Sequence, residues 1–267
     1  MNLPEPSIRV NVDPTNPGQF FACCGLLELA DRLWPGAEGW FAEDGREFRM
    51  KCGGTLEVLV RSLLQAEMEP LDSENATSTR ISIGQPFRTL TLDWWQDEVA
   101  GGKELKPWAG TMESFRIADA LRQSLVEPRC LTESLFDVGL IAYDPENPSK
   151  KVEPYYFDAR RCPNAHSRDV GFSANDLQFT TLAHPAVELM CLIGLQRALP
   201  PRTDKPRVFN YFTWTVPLPP VVLPAAVTGH IADPTSLGFR FENWFRTGQR
   251  KHKAFRSAVP LSARGDA

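Results

Sequence analysis

Arginine and aromatic side chains crowd the segment PYYFDARRCPNAHSRDVGFS, residues 154–173, which carries Tyr155, Tyr156, Phe157, Arg160, Arg161, His166, Arg168 and Phe172. A guanidinium is a planar fork that matches a phosphate with two hydrogen bonds, and an aromatic face accepts a stacked base. Together they make a pattern that grips nucleic acid. An ordinary loop fits the same residues equally well: a buried YYF run with Arg160 paired to Asp158 or Asp169. A second segment, RTGQRKHKAFR (246–256), offers Arg246, Arg250, Lys251, Lys253 and Arg256. Such residues contact backbone phosphates without regard to sequence and lose affinity as salt rises. A solvated basic strand or turn is the alternative. A third, the PTNPGQFF turn, holds Asn16 and Gln19, whose amides can read base edges in a groove, at a glycine-containing helix start that can receive a phosphate. Helix capping is their plainer role, and the two are compatible. Lys103 and Lys106 in GGKELKPWAG form a fourth candidate loop.

No catalytic, cofactor or metal motif accompanies these segments. The chain has no G-x-x-x-x-G-K-S/T phosphate loop, no G-x-G-x-x-G fingerprint, no G-x-S-x-G elbow and no H-E-x-x-H helix. His166-Ser167-Arg168-Asp169 contains triad residue types, but triad members usually meet across a fold and not as sequence neighbours. Asp93, Asp97 and Glu98 could hold a divalent cation, yet carboxylates scattered around a strand end are ordinarily solvated. No C-x-x-C pair exists and the four histidines are far apart, so no structural zinc is expected. The expectation is a protein that is not an enzyme, with no cofactor and no metal.

The elements that must position these residues read as α+β. IRVN, with Val12, alternates as a strand; Asn16 caps and Pro17 opens a helix that runs to about Trp34, where Pro35-Gly36 stops it. Its apolar stripe is so wide that only Glu28, Asp31 and Arg32 are clearly polar, so it should be largely buried. Strands at Gly39–Ala42 and Glu47–Lys51, a helix over Thr55–Ala66 and a strand over Phe87–Trp94 follow, with Glu69-Pro70 and DSENATST between as surface loop. That strand–helix–strand–strand–helix–strand succession is the ferredoxin-like, RRM-like order. Farther on come a helix over Met112–Val126, a buried strand over Phe136–Tyr143, the turn-rich DPENPSKK and a helix over Pro185–Leu199. An antiparallel β region closes the chain, with strands at Val208–Val216, Leu237–Phe245 and Ala254–Val259. The domain reading is an N-terminal α+β region over 1–100 and a C-terminal helix and β region over 101–267, or one continuous domain.

Composition bounds the rest. The 267 residues are 42% hydrophobic, which is enough for a real core. No apolar run approaches the length of a membrane span, and the N-terminus lacks a basic region followed by an apolar one. A cytoplasmic place, with reduced thiols and no membrane partner, is therefore expected for the six cysteines. The formal net charge of −4 argues against a free-standing, non-specific DNA binder but leaves room for local basic patches.

Three segments, DPTNPGQFFACCGLLELADRLWPGAEGWF, KPWAGTMESFRIADAL and PYYFDARR with HSRDVGFS, resemble the large-subunit family of type I CRISPR effector complexes (Cascade), subtype U, also called subtype G. The likeness runs through most of the chain. The resemblance implies a non-catalytic subunit at the end of a guide-RNA ribonucleoprotein in antiviral defence. It implies recognition of a protospacer-adjacent motif on duplex DNA and help in opening that duplex. The implied partners are guide RNA, target double-stranded DNA, the other protein subunits of the effector complex and a separate helicase-nuclease recruited on target binding. In guide-directed systems base pairing reads most of the sequence and protein reads the short motif. The chain is short for a large subunit, which implies a truncated or specialised architecture. No residue roles carry over from the family, so the contacts remain those read from the residues. Two other readings stay open: an RRM-like, RNA-facing scaffold, for which GFRFENWF (238–245) is a partial echo of an RNP1 sequence, and a metal-dependent nuclease using Asp93 or Asp158.

Overall fold

A helix with almost no polar face has to be enclosed, and the fold is arranged to do this. The computed structural model describes residues 3–72, 79–93, 113–164, 182–245 and 253–261. Strand β1 (Ile8–Asn11) leads into helix α1 (Pro17–Leu33), where the Asn16 side chain accepts the Gly18 N–H and Pro17 sits in the first turn. Every residue of α1 from Pro17 to Ala30 is buried. After α1 the hairpin β2 (Glu38–Phe41) and β3 (Glu47–Lys51) completes a sheet of order β1-β3-β2, with β3 antiparallel to both neighbours. This is the split β-α-β that opens a ferredoxin-like fold, and the α+β class is the one observed.

The order then departs from a closed ferredoxin-like sheet. Helix α2 (Leu56–Gln65), capped by the Thr55 hydroxyl, is followed by a separate sheet of β4 (Met68–Pro70), β5 (Ile81–Ile83) and β6 (Leu90–Leu92). The expected strand over Phe87–Trp94 thus shortens to β6 and pairs with β5, not with β1. The edge of β1 is met instead by a later segment, where the Asn11 N–H donates to the Glu133 carbonyl at 2.8 Å.

Helix α3 (Ser114–Ser124) is followed by 3-10 turns at Pro128–Leu131 and Leu135–Asp137. The buried strand expected over Phe136–Tyr143 is mostly this turn plus a lone bridge between Leu140 and Ala183; buried Phe136 anchors it without a ladder. The DPENPSKK stretch forms an exposed hairpin of β7 (Tyr143–Asp144) and β8 (Asn147–Lys151).

Helix α4 (Pro185–Gly194) is buried throughout and crosses α1 backbone to backbone. Glycine makes that approach possible. A Cβ on Gly25 would collide with the carbonyl oxygen of Met190, and one on Gly194 with that of Phe21. Strand β9 (Val208–Phe212), helix α5 (Leu223–Val227) and strands β10 (Gly238–Phe245), β11 (Lys253–Phe255) and β12 (Val259–Pro260) end the described fold. In this antiparallel C-terminal sheet β9 flanks β10 on one side, and β11 and β12 flank it on the other.

The inner face of that sheet closes over α1. The Phe20 ring lies 4.4 Å from Tyr211 and 5.4 Å from Phe41, and Phe21 lies 6.2 Å from Phe241. Trp214 adds its ring to the same cluster and donates its indole N–H to the Gly39 carbonyl at 2.7 Å. Burying each such ring is worth about 2–3 kcal/mol. One hydrophobic core therefore draws on both 1–100 and 101–267. Among the described residues no helix is long and apolar enough to cross a membrane.

Candidate nucleic-acid interface

The segments singled out by residue type do converge. The Asn16 Nδ2 donates to Asp158 Oδ1 at 2.9 Å, the Phe255 N–H donates to the Tyr156 carbonyl at 3.0 Å, and the Ala258 N–H donates to the Thr15 carbonyl at 2.7 Å. Residues 13–19, 154–161 and 253–258 are thus tied into one region. Within it, the side chains expected to meet nucleic acid divide into an interior group and a surface group.

The interior group is organised by Asp158, which is 0% exposed. Its Oδ1 accepts from Asn16 Nδ2, from the Arg160 backbone N–H at 3.0 Å and from Arg160 Nε at 3.0 Å; its Oδ2 accepts from Arg160 Nη2 at 2.6 Å. Arg160 spends its other donors on the Phe136 carbonyl (2.6 Å) and on Asp137 (3.3 Å). Arg161, 4% exposed, donates to the Leu182 carbonyl, to Glu153 at 2.8 Å and to the Tyr156 hydroxyl at 3.2 Å, and lies over the Tyr156 ring at 4.5 Å. The Tyr155 hydroxyl donates to the Ser114 carbonyl at 2.6 Å. Asn16, 2% exposed, also accepts the N–H groups of Gly18 and Ala159, both at 3.1 Å. Gln19, 2% exposed, accepts the Asp13 N–H at 2.7 Å.

The reading of Asn16 and Gln19 as base readers is therefore corrected. Their amides are enclosed and already bonded, so a base edge cannot reach them without opening the core. Arg161, buried and bonded to Glu153 and the Leu182 carbonyl, is corrected in the same way. Arg160 is paired with Asp158 and Asp137, as the ion-pair alternative has it, but it is an exposed residue and its guanidinium is not enclosed. Asn16 is the helix cap, whereas Gln19 ties down the Asp13 N–H.

The electrostatics agree with a structural hub. Burial pushes Asp158 upward, but the hydrogen bonds and charge of Arg160, with His184 and Asn16, outweigh it and hold the carboxyl below its ordinary value. Glu188 on α4 accepts the N–H groups of Phe157 (3.1 Å) and Asp158 (3.2 Å); burial and the Asp158 charge push it up to about 7. His184 precedes α4, with Nδ1 3.1 Å from Asp158 Oδ2 but without the alignment of a hydrogen bond. Burial lowers its pKa, which places the neutral imidazole there at neutral pH. An Asp beside a His is an acid–base pair by type. Here the carboxylate is saturated by its donors, and the arrangement locks the start of α1, the turn at 158–161 and the start of α4 together.

The surface group lies on the outer side of the C-terminal sheet. Phe239, Phe241 and Asn243 of β10 are buried, while Arg240, Glu242 and Trp244 alternate with them and are half-buried on the other side. The Arg256 side chain is 43% exposed; its Nη1 lies 3.4 Å from Glu242 Oε2 and its guanidinium carbon 4.5 Å from the centre of the Trp244 ring. Arg207 approaches the same ring at 5.2 Å and the same carboxylate at 3.6 Å. Arg240 donates to the Asn210 side chain at 3.0 Å. Of the candidates read from the sequence, Arg256 alone among the described side chains reaches this surface.

Lys103, Lys106, Arg168, Arg246, Arg250 and Lys251 lie outside the described residues, as does the Lys253 side chain. The register Phe245 to Lys253 shows only that 246–252 joins β10 to β11.

Arg207, Arg240, Glu242 and Trp244 were missed as a unit. The alternation Arg240-x-Glu242-x-Trp244 in a strand was legible, and it puts the three on one face. Arg207 has no local signal, because only strand pairing brings it to Trp244.

Among the described residues no cluster of three or more His, Cys, Asp or Glu could hold a metal, and Asp97 and Glu98 lie outside them. On the N-terminal sheet, the side turned away from α1 carries Arg9, Asn11, Glu47 and Arg49, with Trp40 beside Arg49 but only 1% exposed. An exposed ring for stacking, as an RRM-like reader uses, is not found on that face among the described residues. No protein-family model matches this chain, and no curated protein or solved structure does either.

Proposed function

We propose that this chain is a non-catalytic, nucleic-acid-binding subunit of a CRISPR guide-RNA surveillance complex that contacts target duplex DNA during antiviral defence. The observation that carries the binding part is the outer face of the C-terminal sheet, where Arg207 and Arg256 flank Trp244. The strand leading out of that site continues into RTGQRKH, a basic stretch by sequence. A basic, aromatic patch on a chain of net charge −4 fits a subunit whose partners supply the remaining grip. The assembly part is supported by the three segments that resemble the large-subunit family. Recognition of a protospacer-adjacent motif, in this reading, falls to residues other than Asn16 and Gln19.

Measuring duplex-DNA affinity against salt tests the binding part. Arg207→Ala with Arg256→Ala should weaken binding to all sequences alike and reduce the slope of log K against log salt by about one for each phosphate no longer gripped. Unchanged affinity and slope in a folded variant would remove this surface from the reading. Co-expression with the neighbouring genes tests the assembly part: the chain should co-purify with a guide RNA and further subunits, and purification of the chain free of RNA would argue against it.

A further inference from the structure

Arg240 stands on the central strand of the C-terminal sheet. Register sets Asn210 of β9 on one side of it and Val259 of β12 on the other. Residues directly paired in an antiparallel ladder share a face, so the three side chains form a row on the outer face. Asn210 Oδ1 accepts the Arg240 Nε–H at 3.0 Å and fixes the guanidinium along the sheet. Val259 is 60% exposed, which leaves the surface beside that guanidinium open.

The lack of a counter-charge sets Arg240 apart. Among the described residues, every other arginine that is buried or half-buried lies within 3.6 Å of a carboxylate oxygen. Arg240 is half-buried and lies against none. Glu242, two residues on and on the same face, lies against Arg207 and Arg256 instead. Asn210 orients the Arg240 fork but, being neutral, leaves its charge whole.

Neither Nη nitrogen of Arg240 has a hydrogen-bond partner among the described residues, and both reach solvent. The same holds for Asn210 Nδ2. A guanidinium partly withdrawn from water without a counter-charge carries a desolvation cost that an arriving anion offsets. Its outer edge presents parallel N–H donors, the geometry that takes two oxygens of a phosphate. The row of Asn210, Arg240 and Val259 contains no aromatic ring, so it gives a base nothing to stack on.

We propose that Arg240, oriented by Asn210, receives one backbone phosphate of a DNA duplex. The guanidinium edge meets the phosphodiester oxygens, and no base is read. This rests on the nucleic-acid reading above and names one contact within it, separate from the group around Trp244.

The test uses the full chain and fluorescence anisotropy with two short duplexes of unrelated sequence, each titrated over a range of salt. Asn210→Asp sets a carboxylate against Arg240 and neutralises the fork without removing it, whereas Arg240→Gln removes the charge. Each variant should bind both duplexes about five- to tenfold more weakly at low salt and reduce the slope of log K against log salt by about one. Melting curves accompany both. Asn210→Asp adds an ion pair and should melt no lower than the wild type, so its weaker binding is separable from any loss of fold. If the folded variants bind both duplexes as the wild type does, with the same slope, the Arg240 contact is overturned and the nucleic-acid reading stands. A loss confined to one of the two sequences also overturns it, because Arg240 would then read a base. Should the wild type bind neither duplex, both the contact and that reading fall.

Discussion

At the scale of single residues, the hub around Asp158 shows how much interior work polar side chains can do. Asn16 satisfies two backbone N–H groups and donates to a buried carboxylate. Asn16→Ala should therefore cost about 2–4 kcal/mol, the sum of a lost cap and newly unsatisfied buried groups. Asn16→Asp should be worse than Asn16→Ser, because it keeps a cap but sets a second carboxylate against Asp158. Urea denaturation at neutral pH measures both, and a loss under about 1 kcal/mol for Asn16→Ala would show that Asp158 is not held as described.

Glu188 supplies a test with pH. Its folded pKa of about 7 lies above the unfolded carboxyl value, so the folded state holds a proton that the unfolded state has released. The contribution is intact below the unfolded pKa and is lost as pH rises through about 7, to the extent of roughly 3 kcal/mol. His184, lowered by burial, titrates with the opposite sign, and Asp158, Arg160, Arg161 and Asp137 also bear on the region. Comparison with Glu188→Gln isolates the carboxyl. Between pH 5 and pH 8 the wild type should lose stability relative to this variant, and parallel stability curves would contradict the assignment.

At the scale of elements, the crossing of α1 and α4 is the feature most exposed to a single methyl group. Gly25 and Gly194 each face a carbonyl oxygen of the other helix, and backbone cannot move aside as a flexible side chain can. Gly194→Ala should destabilise by about 3 kcal/mol or more, and Gly25→Ala by a similar amount. The double variant should lose less than the two losses added, since the first methyl already separates the helices. Thermal and chemical denaturation read this directly; a Gly194→Ala protein as stable as wild type would place the helices farther apart.

The elements also show where residue patterns stop being informative. The helix over 17–33 was legible because cap, proline start, wide apolar stripe and Pro-Gly stop agree. The strand expected over 136–143 was not. An apolar run that buries Phe136 looks the same whether it joins a ladder or anchors a turn, and only the neighbouring chain decides.

At the scale of the whole molecule, one core draws on residues from Ile8 to Ala258, with α1 inside it. Division near residue 100 would strip α1 of α4, β9 and β10. Unfolding should then be a single cooperative transition, with the near-ultraviolet signal of buried aromatics such as Trp214 falling together with the far-ultraviolet signal of the backbone. Two separated transitions would reveal two independently stable units.

The chain's order of residues by itself determined the α+β class, the buried first helix, its cap and the strands on either side, because these follow from local spacing and backbone preference. It also marked the three segments that meet. Tertiary structure decided which way their side chains turn. Asn16, Gln19 and Arg161 bond inward because Asp158 and a set of backbone groups need partners once water is excluded, while Arg160 pairs with Asp158 from the exposed side. Arg256 remains near the surface because it follows β11 with its side chain beside Glu242 and Trp244 on the outer face of the sheet. Arg207 becomes part of the site only through the pairing of β9 with β10. A charged side chain carries no mark of its partner, and burial, which sets the cost of leaving it without one, is a property of the folded whole.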